Sequence, residues 1–193
     1  MARPLRIEFK GALYHIISRG NERRDIFLGD EVVMEQKAFQ DYYKDHSSHC
    51  YGCGRLNPYG LQIKSYWDGD ETVCRFHPQP YHTAMKGFVY GGLIASVIDC
   101  HGTATAAAAS YRAQNREMDT DPELRFVTGS LHVDYHLPTP IDRPMDLRAT
   151  IKRIKGRKVV VKVSLFSGDK LCAKGEVLAI QIPDKLKNIV VAP

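Results

Sequence analysis

Residues 89–99 read Val-Tyr-Gly-Gly-Leu-Ile-Ala-Ser-Val-Ile-Asp, and the apolar and small residues continue to Ala109. This run is too long for an average strand, so it predicts a helix that begins at the glycine pair and is enclosed by other structure. One carboxylate, Asp99, lies inside it. An acid in apolar surroundings costs free energy unless it is hydrogen-bonded or its pKa shifts, so Asp99 is the first candidate for a functional residue.

Strand patterns lie on both sides of the predicted helix. Residues 61–67 and 72–76 alternate in hydrophobicity around the turn Asp68-Gly69-Asp70, which is typical of a hairpin. Four further strand candidates follow the helix, at 126–137, 145–155, 159–167 and 171–182. One long helix between a hairpin and a meander predicts an α+β fold in which an antiparallel sheet wraps around a central helix.

The composition is typical of one main globular domain. The chain has 193 residues, 44% of them hydrophobic, enough for one full core and a small appendage. We find no apolar run long enough to span a bilayer and no signal peptide, and we therefore expect a cytoplasmic protein. The five cysteines are odd in number and scattered, which favours a reducing compartment over a disulfide framework.

The positive charge is concentrated at the N-terminus. Of the net charge of +5, residues 1–24 carry +4, from six basic and two acidic side chains, which leaves +1 for the rest of the chain. A nearly neutral main domain lacks the broad basic face of a duplex-binding protein, so nucleic acid is not an expected partner.

Residues 1–27, MARPLRIEFKGALYHIISRGNERRDIF, resemble the start of the REP-associated tyrosine transposases. Those enzymes need a paired-histidine metal site, and no His-x-His follows here. We therefore interpret residues 1–30 as a fused fragment or recruited arm without transposase chemistry. Residues 31–45 predict a connecting helix, and 46–193 form the main domain.

A histidine- and cysteine-rich segment, residues 46–54, is a candidate metal site. It reads His-Ser-Ser-His-Cys-Tyr-Gly-Cys-Gly and holds the ligand types that zinc selects. The spacing argues against zinc, because His49 and Cys50 are adjacent and structural sites usually draw two distant ligand pairs. We interpret the segment as a structural turn and predict no metal. A redox Cys-x-x-Cys site is favoured even less, because no thioredoxin-like βαβ pattern surrounds it.

A second resemblance covers roughly residues 46–183. Cys50-Tyr51-Gly52-Cys53-Gly54 with Asn57-Pro58 and Gly60-Leu61, then 87–92 with Asp99, then Val133-Asp134-Tyr135 and Pro138, are similar to the PaaI-type hotdog-fold acyl-CoA thioesterases. The resemblance implies a homodimer or higher homo-oligomer that hydrolyses an acyl-CoA substrate to an acid and coenzyme A. No cofactor beyond that substrate is implied, and Gly91 matches the family's oxyanion donor.

The properties of these residues fit a catalytic site that is built from two separate parts of the helix. Unpaired amides at a helix N-terminus, here Gly91 and Gly92, can stabilise the oxyanion formed when water attacks a thioester. Asp99 is eight positions further on, about 12 Å along the axis, so it cannot reach the same carbonyl. A two-fold dimer with antiparallel helices can bring Asp99 of one chain to Gly91 of the other, with Asp99 as general base or nucleophile.

Four other residues are candidates for the catalytic site. Thr103 and Ser96 lie about one helical turn from Asp99 and could orient the attacking water. Tyr90 stands where the family often has histidine and can hydrogen-bond but is a poor proton acceptor. His82, in the preceding loop, could replace a polar residue that the family carries where this chain has Ala84; the alternative is a solvated loop histidine.

A basic run surrounds a predicted hairpin turn and is the candidate site for the phosphates of coenzyme A; the alternative is a solvated turn. Its members are Lys152, Arg153, Lys155, Arg157 and Lys158.

Two other functions remain open. One is a non-catalytic acyl-CoA-binding hotdog sensor with a basic arm that contacts nucleic acid. The other is a hotdog dehydratase, which is disfavoured because no histidine stands out as paired with an acid.

Overall fold

The structure, a computed structural model, describes residues 37–183. The proposed arm at residues 1–30 lies outside this range. The described strands and α-helix are, in chain order, β1 (Tyr66–Asp68), β2 (Glu71–Phe76), α1 (Gly91–Ala113), β3 (Phe126–Tyr135), β4 (Met145–Lys155), β5 (Lys158–Ser167) and β6 (Lys170–Gln181).

All six strands form one antiparallel sheet in the order β1-β2-β4-β5-β6-β3. The sheet packs around α1, and the apolar faces of both form the main core. This confirms the predicted α+β architecture with an antiparallel sheet around one long helix. Within residues 37–183 no helix is both long and apolar enough to cross a membrane.

Two glycines set how closely the helix approaches the sheet. A Cβ added at Gly102 of α1 would lie 2.6 Å from Cγ2 of Val177 on β6, and one added at Gly175 of β6 would lie 2.3 Å from Cγ2 of Ile98 on α1. Each glycine therefore faces a large side chain of the other element. The small residues bring the helix, and with it Asp99, into a fixed position on the sheet.

The segment before the sheet covers the other side of α1. Phe39 packs with Ala104 and Ala108 in a second apolar cluster. Ser65 hydrogen-bonds both the buried Nδ1 of His101, at 2.9 Å, and the side chain of Gln40. Because α1 is covered on both sides, most of its residues are buried, as the uninterrupted apolar run predicts.

Two sequence predictions need correction here. In the described part of the predicted connecting helix at 31–45, the chain forms no α-helix. A 3₁₀ helix covers Phe39–Tyr42, Tyr43 and Lys44 are extended, and a second 3₁₀ helix begins at Asp45. The first strand covers Tyr66–Asp68 rather than 61–67. The reason is Gln62, whose positive φ of 55° and side-chain bonds to the preceding turn hold the chain away from the sheet.

Candidate active site

The N-terminus of α1 carries two amides without an internal partner. Tyr90 is the N-cap residue but its side chain makes no capping bond, and among the described hydrogen bonds none is donated by the amide of Gly91 or Gly92. The Tyr135 hydroxyl donates to the carbonyl oxygen of Gly91 at 2.9 Å. Two free N–H groups at the positive end of the helix dipole form a ready site for an oxyanion.

Tyr90 lies against this end of the helix. A Cβ at Gly92 would come within 2.4 Å of the Tyr90 ring, so only glycine allows the ring to lie there. Tyr90 as a whole is 57% exposed, and its backbone amide donates to the carbonyl of His82 at 2.9 Å. Tyr90 thus lies beside the candidate oxyanion site, with its hydroxyl accessible to a ligand.

Asp99 lies two turns further along α1 and is half-buried. Its Oδ1 accepts a hydrogen bond of 2.5 Å from the Thr128 hydroxyl of β3. The hydroxyl oxygens of Thr103 and Thr128 are 3.1 Å apart, so Thr103 is linked to Asp99 through the Thr128 hydroxyl. Burial raises the pKa of the Asp99 carboxyl; the Thr128 hydrogen bond opposes that rise and the nearby Cys50 adds to it.

A cavity of about 240 Å³ opens beside Asp99. Thr103 and Thr128 line it together with Asp99, and the three thiols of Cys50, Cys53 and Cys100 lie in its wall. An acid with a hydroxyl neighbour and adjoining open space is suited to activating a water molecule.

The single chain does not bring the oxyanion site and Asp99 together. They lie eight residues apart on α1, about 12 Å at the usual helical rise. Strand β3 contacts both places, through Thr128 near Asp99 and through Tyr135 at Gly91.

A bulge in β3 makes this double contact possible. Thr128 and Tyr135 are seven residues apart, so a regular strand would turn them to opposite faces. The register on β6 shifts between Thr128 and Ser130, which adds one residue and returns both side chains to the helix face.

Two other predicted site residues have different partners. The Ser96 hydroxyl donates to the Gly92 carbonyl at 2.9 Å, one turn back along the helix, rather than to a group near Asp99. Nδ1 of His82 accepts from the backbone amide of Gln79 at 3.0 Å, and its ring packs on Phe76. His82 is not among the residues that line the Asp99 cavity.

The basic run lies on the β4–β5 hairpin, whose turn contains Gly156 at a φ of 56°. Lys152 is paired with Glu176 at 2.7 Å, and Arg157 donates to the carbonyl of Gln181 at 3.2 Å. Gln181 is the register partner of Phe126, which lines the Asp99 cavity. The hairpin therefore lies on the sheet near one end of that cavity.

The cysteine-rich segment forms a turn, as predicted, but its thiols meet a third one. Sγ of Cys100 lies 3.9 Å from Sγ of Cys50, and the sulfurs of Cys50, Cys53 and Cys100 all lie within 4.8 Å of one another. Hydrogen bonds from Cys100 and Cys53 lower the pKa of the Cys50 thiol. His46, a predicted alternative ligand, instead bonds Glu123 at 2.9 Å.

Sequence reasoning missed three residues of this region, namely Thr128, Tyr135 as a partner of Gly91, and Cys100. Each acts through a contact between distant parts of the chain, 29, 44 and 50 residues apart. Thr128 and Tyr135 lie inside the strand predicted at 126–137, but only the unpredicted bulge turns both to the helix. No local pattern signals these contacts.

Comparisons with known proteins show the family to which this fold belongs. The model of the family described as "Thioesterase superfamily" matches residues 86–174. The crystal structure of a thioesterase superfamily protein from Shewanella loihica PV-4 is 45% identical, with a TM-score of 0.56 over 73% of this chain and 100% of that one. The E. coli PaaI protein from the phenylacetic acid degradation operon shares the fold at 14% identity, with a TM-score of 0.52 over 64% of this chain and 81% of its own.

A curated relative, acyl-coenzyme A thioesterase THEM4 from Xenopus laevis, is 32% identical over 110 residues, which are 57% of this chain and 44% of the relative. The chain spans about half the length of the curated relatives it matches. The Shewanella protein is matched over its whole length, and together with the family model it confirms the resemblance of the main domain to hotdog-fold thioesterases. The chain therefore belongs to the thioesterase superfamily.

Proposed function

We propose that this protein hydrolyses acyl-CoA thioesters to a free acid and coenzyme A. The observation that carries the proposal is the pairing, on one helix, of two unbonded N-terminal amides with a half-buried carboxylate that accepts a threonine hydrogen bond. Membership of the thioesterase superfamily and the curated name of the Xenopus relative support the same chemistry.

The reaction proceeds by attack of water on the thioester carbonyl carbon. Asp99 takes the proton as the water oxygen forms its new bond, and the amides of Gly91 and Gly92 donate to the resulting oxyanion. Collapse of the tetrahedral intermediate breaks the carbon–sulfur bond, and the thiolate of coenzyme A leaves and is protonated. In the alternative mechanism, Asp99 attacks the carbonyl carbon directly, and the same amides donate to the oxyanion.

The site is completed by a second subunit. β3 is an edge strand of the sheet, and eight of its ten residues are exposed. Val127, Leu131 and Tyr135 are large apolar or aromatic side chains on this edge with 37–55% exposure. A ten-residue edge strand with such side chains is well suited to pair with a copy of itself.

Antiparallel pairing of β3 with the partner's β3 brings Asp99 of one subunit towards the helix N-terminus of the other. Once the extra residue of the bulge is left out of the count, His132 lies midway between Thr128 and Tyr135 along β3. A two-fold axis near His132 therefore places Thr128 opposite Tyr135 of the partner subunit. Since Thr128 bonds Asp99 and Tyr135 bonds Gly91, Asp99 then lies near the oxyanion site of the partner subunit. The assembly is thus a homodimer or a higher homo-oligomer built from such dimers.

The β4–β5 hairpin supplies the cationic contact for the phosphates of coenzyme A. Lys155 and Lys158 are register partners and exposed, so their ammonium groups are available to an anion. Arg157 lies between them in sequence.

The odd number and scattered positions of the cysteines support a reducing, cytoplasmic location.

Thiol release from a panel of short, long and aromatic acyl-CoAs tests the function. Wild type should release coenzyme A from at least one of them. Asp99→Asn should release none above the uncatalysed rate while keeping its melting temperature, and the exposed carboxylate control Asp70→Asn should match wild type. A wild-type protein that binds acyl-CoA without releasing thiol would instead be a sensor, and the proposal would be wrong.

A further inference from the structure

Three thiols from two separate parts of the chain converge beside the Asp99 cavity. Cys50 and Cys53 come from the turn before the sheet and Cys100 from the middle of α1. Their sulfur atoms lie within 4.8 Å of one another, and those of Cys50 and Cys100 are 3.9 Å apart. A disulfide needs about 2 Å between its sulfurs, so the three are free thiols.

The backbone around the cluster is shaped to hold it. A Cβ at Gly52 would lie 2.2 Å from Sγ of Cys100, so only glycine lets the helix thiol enter the turn. The Gly54 amide donates to the Cys50 carbonyl at 2.8 Å, and a Cβ at Gly54 would meet backbone atoms at 2.5 Å.

The sulfur separations fit a tetrahedral zinc ion. With Zn–S bonds of about 2.3 Å, two ligating sulfurs lie about 3.8 Å apart, close to the Cys50–Cys100 separation of 3.9 Å. We propose that Cys50, Cys53 and Cys100 bind Zn²⁺ through three thiolates, with the fourth coordination position facing the cavity beside Asp99.

The positions of the three thiols indicate the direction of the fourth zinc coordination position. All three line the same cavity as Asp99, so the open side of the cluster faces the space that a ligand or water enters. The neighbouring imidazoles are not part of the convergent set, because His46 bonds Glu123 and the sulfur cluster does not include His49. Binding displaces the thiol protons into solvent and ties the turn to the helix at the residue after Asp99. The inference does not depend on the proposed hydrolysis.

Zinc affinity of the full chain tests the site. The protein is reduced, stripped with a chelator, and titrated with Zn²⁺ against a chromophoric competitor, with Co²⁺ as an absorbance probe of thiolate ligation. We expect one Zn²⁺ per chain and a sulfur-to-cobalt charge-transfer band. Cys50→Ser, Cys53→Ser and Cys100→Ser should each weaken binding by at least about tenfold. His49→Ala and Cys172→Ser, which change residues outside the cluster, should bind as wild type does.

A second measurement needs no substitution and is unaffected by variants that fail to fold. Alkylation of wild type, read peptide by peptide by mass spectrometry, should be slowed by Zn²⁺ at all three cluster cysteines. Absence of saturable binding, alkylation that Zn²⁺ does not change, or equal loss of affinity in His49→Ala would each overturn the three-thiolate site.

Discussion

The hydroxyl of Thr128, on the edge strand β3, donates a 2.5 Å hydrogen bond to Oδ1 of Asp99 on the central helix. The bond links the candidate base to the strand that we propose to form the subunit interface. It favours the ionised carboxylate, the form that can accept a proton from water.

Thr128→Val should therefore lower kcat with little change in KM. A hydrogen bond to a charged group contributes about 1.5–3 kcal/mol, so the loss should be about tenfold or more. The matched variant Thr128→Ser keeps the hydroxyl and should stay close to wild type. Steady-state kinetics on one acyl-CoA decide the matter, and equal kcat values for the two variants would show that the hydrogen bond has no part in the reaction.

Gly102→Ala should destabilise the fold although alanine is the better helix former. Alanine gains about 1 kcal/mol in helix propensity, but its Cβ would meet the fully buried Val177 at 2.6 Å. Overpacking costs about 1–3 kcal/mol, so the net loss in unfolding free energy should reach up to about 2 kcal/mol.

Urea denaturation measures this change. Gly91→Ala is the matched control on the same helix, because the added Cβ would meet only the Tyr135 ring at 3.6 Å, an ordinary contact. Equal unfolding free energies for the two variants would contradict the close helix–sheet approach.

Leu131→Asp should convert the assembly to monomers and abolish thiol release. A charge on the proposed β3–β3 interface is desolvated without a partner. Ile154→Asp is the control for assembly alone, because Ile154 is similarly exposed, 44% against 37%, but lies on β4 and not on the edge strand. Sedimentation velocity distinguishes the states. If Leu131→Asp kept the wild-type assembly, β3 would not be the interface.

Replacing both Lys155 and Lys158 with alanine should raise KM for acyl-CoA by about fivefold, since two exposed ion pairs of about 0.5 kcal/mol each amount to about 1 kcal/mol. The same acyl group on pantetheine, which lacks the nucleotide phosphates, should show an unchanged KM. A rise for both substrates would point to a structural effect of the substitutions instead of phosphate binding.

The sequence predicted the fold well because its signals are periodic and local. The apolar run after Gly91 and the alternation in the last four strands each match an element of the structure. The prediction was wrong at 61–65, where the strand-like alternation is outweighed by the positive φ of Gln62 and its bonds to the turn. A local pattern does not reveal such side-chain bonds.

The candidate site was predicted only in part for a related reason. Gly91, Gly92 and Asp99 stand out because a glycine pair and a single acid interrupt an apolar run. Thr128 and Cys100 are ordinary residues in their own segments and gain meaning only when the fold places them beside Asp99 or the Cys50 turn. Ser96 was selected by helical spacing alone, which does not show that its hydroxyl bonds the preceding turn.

The central claim is that one site combines Asp99 of one subunit with the helix N-terminus of the other. Gly91→Pro removes one oxyanion donor at little cost to the helix, because proline suits the first helical position and Tyr90 before it is extended, at φ −64° and ψ 130°. Loss of one such donor lowers kcat by about a hundredfold or more. Asp99→Asn removes the base.

The decisive measurement is thiol release by mixed dimers of these two variants, co-expressed with different affinity tags and purified through both. Each mixed dimer holds one site with both parts intact, so activity should return to about half of the wild-type value, while either homodimer stays inactive. Mixed dimers no more active than the homodimers would contradict a site shared between subunits.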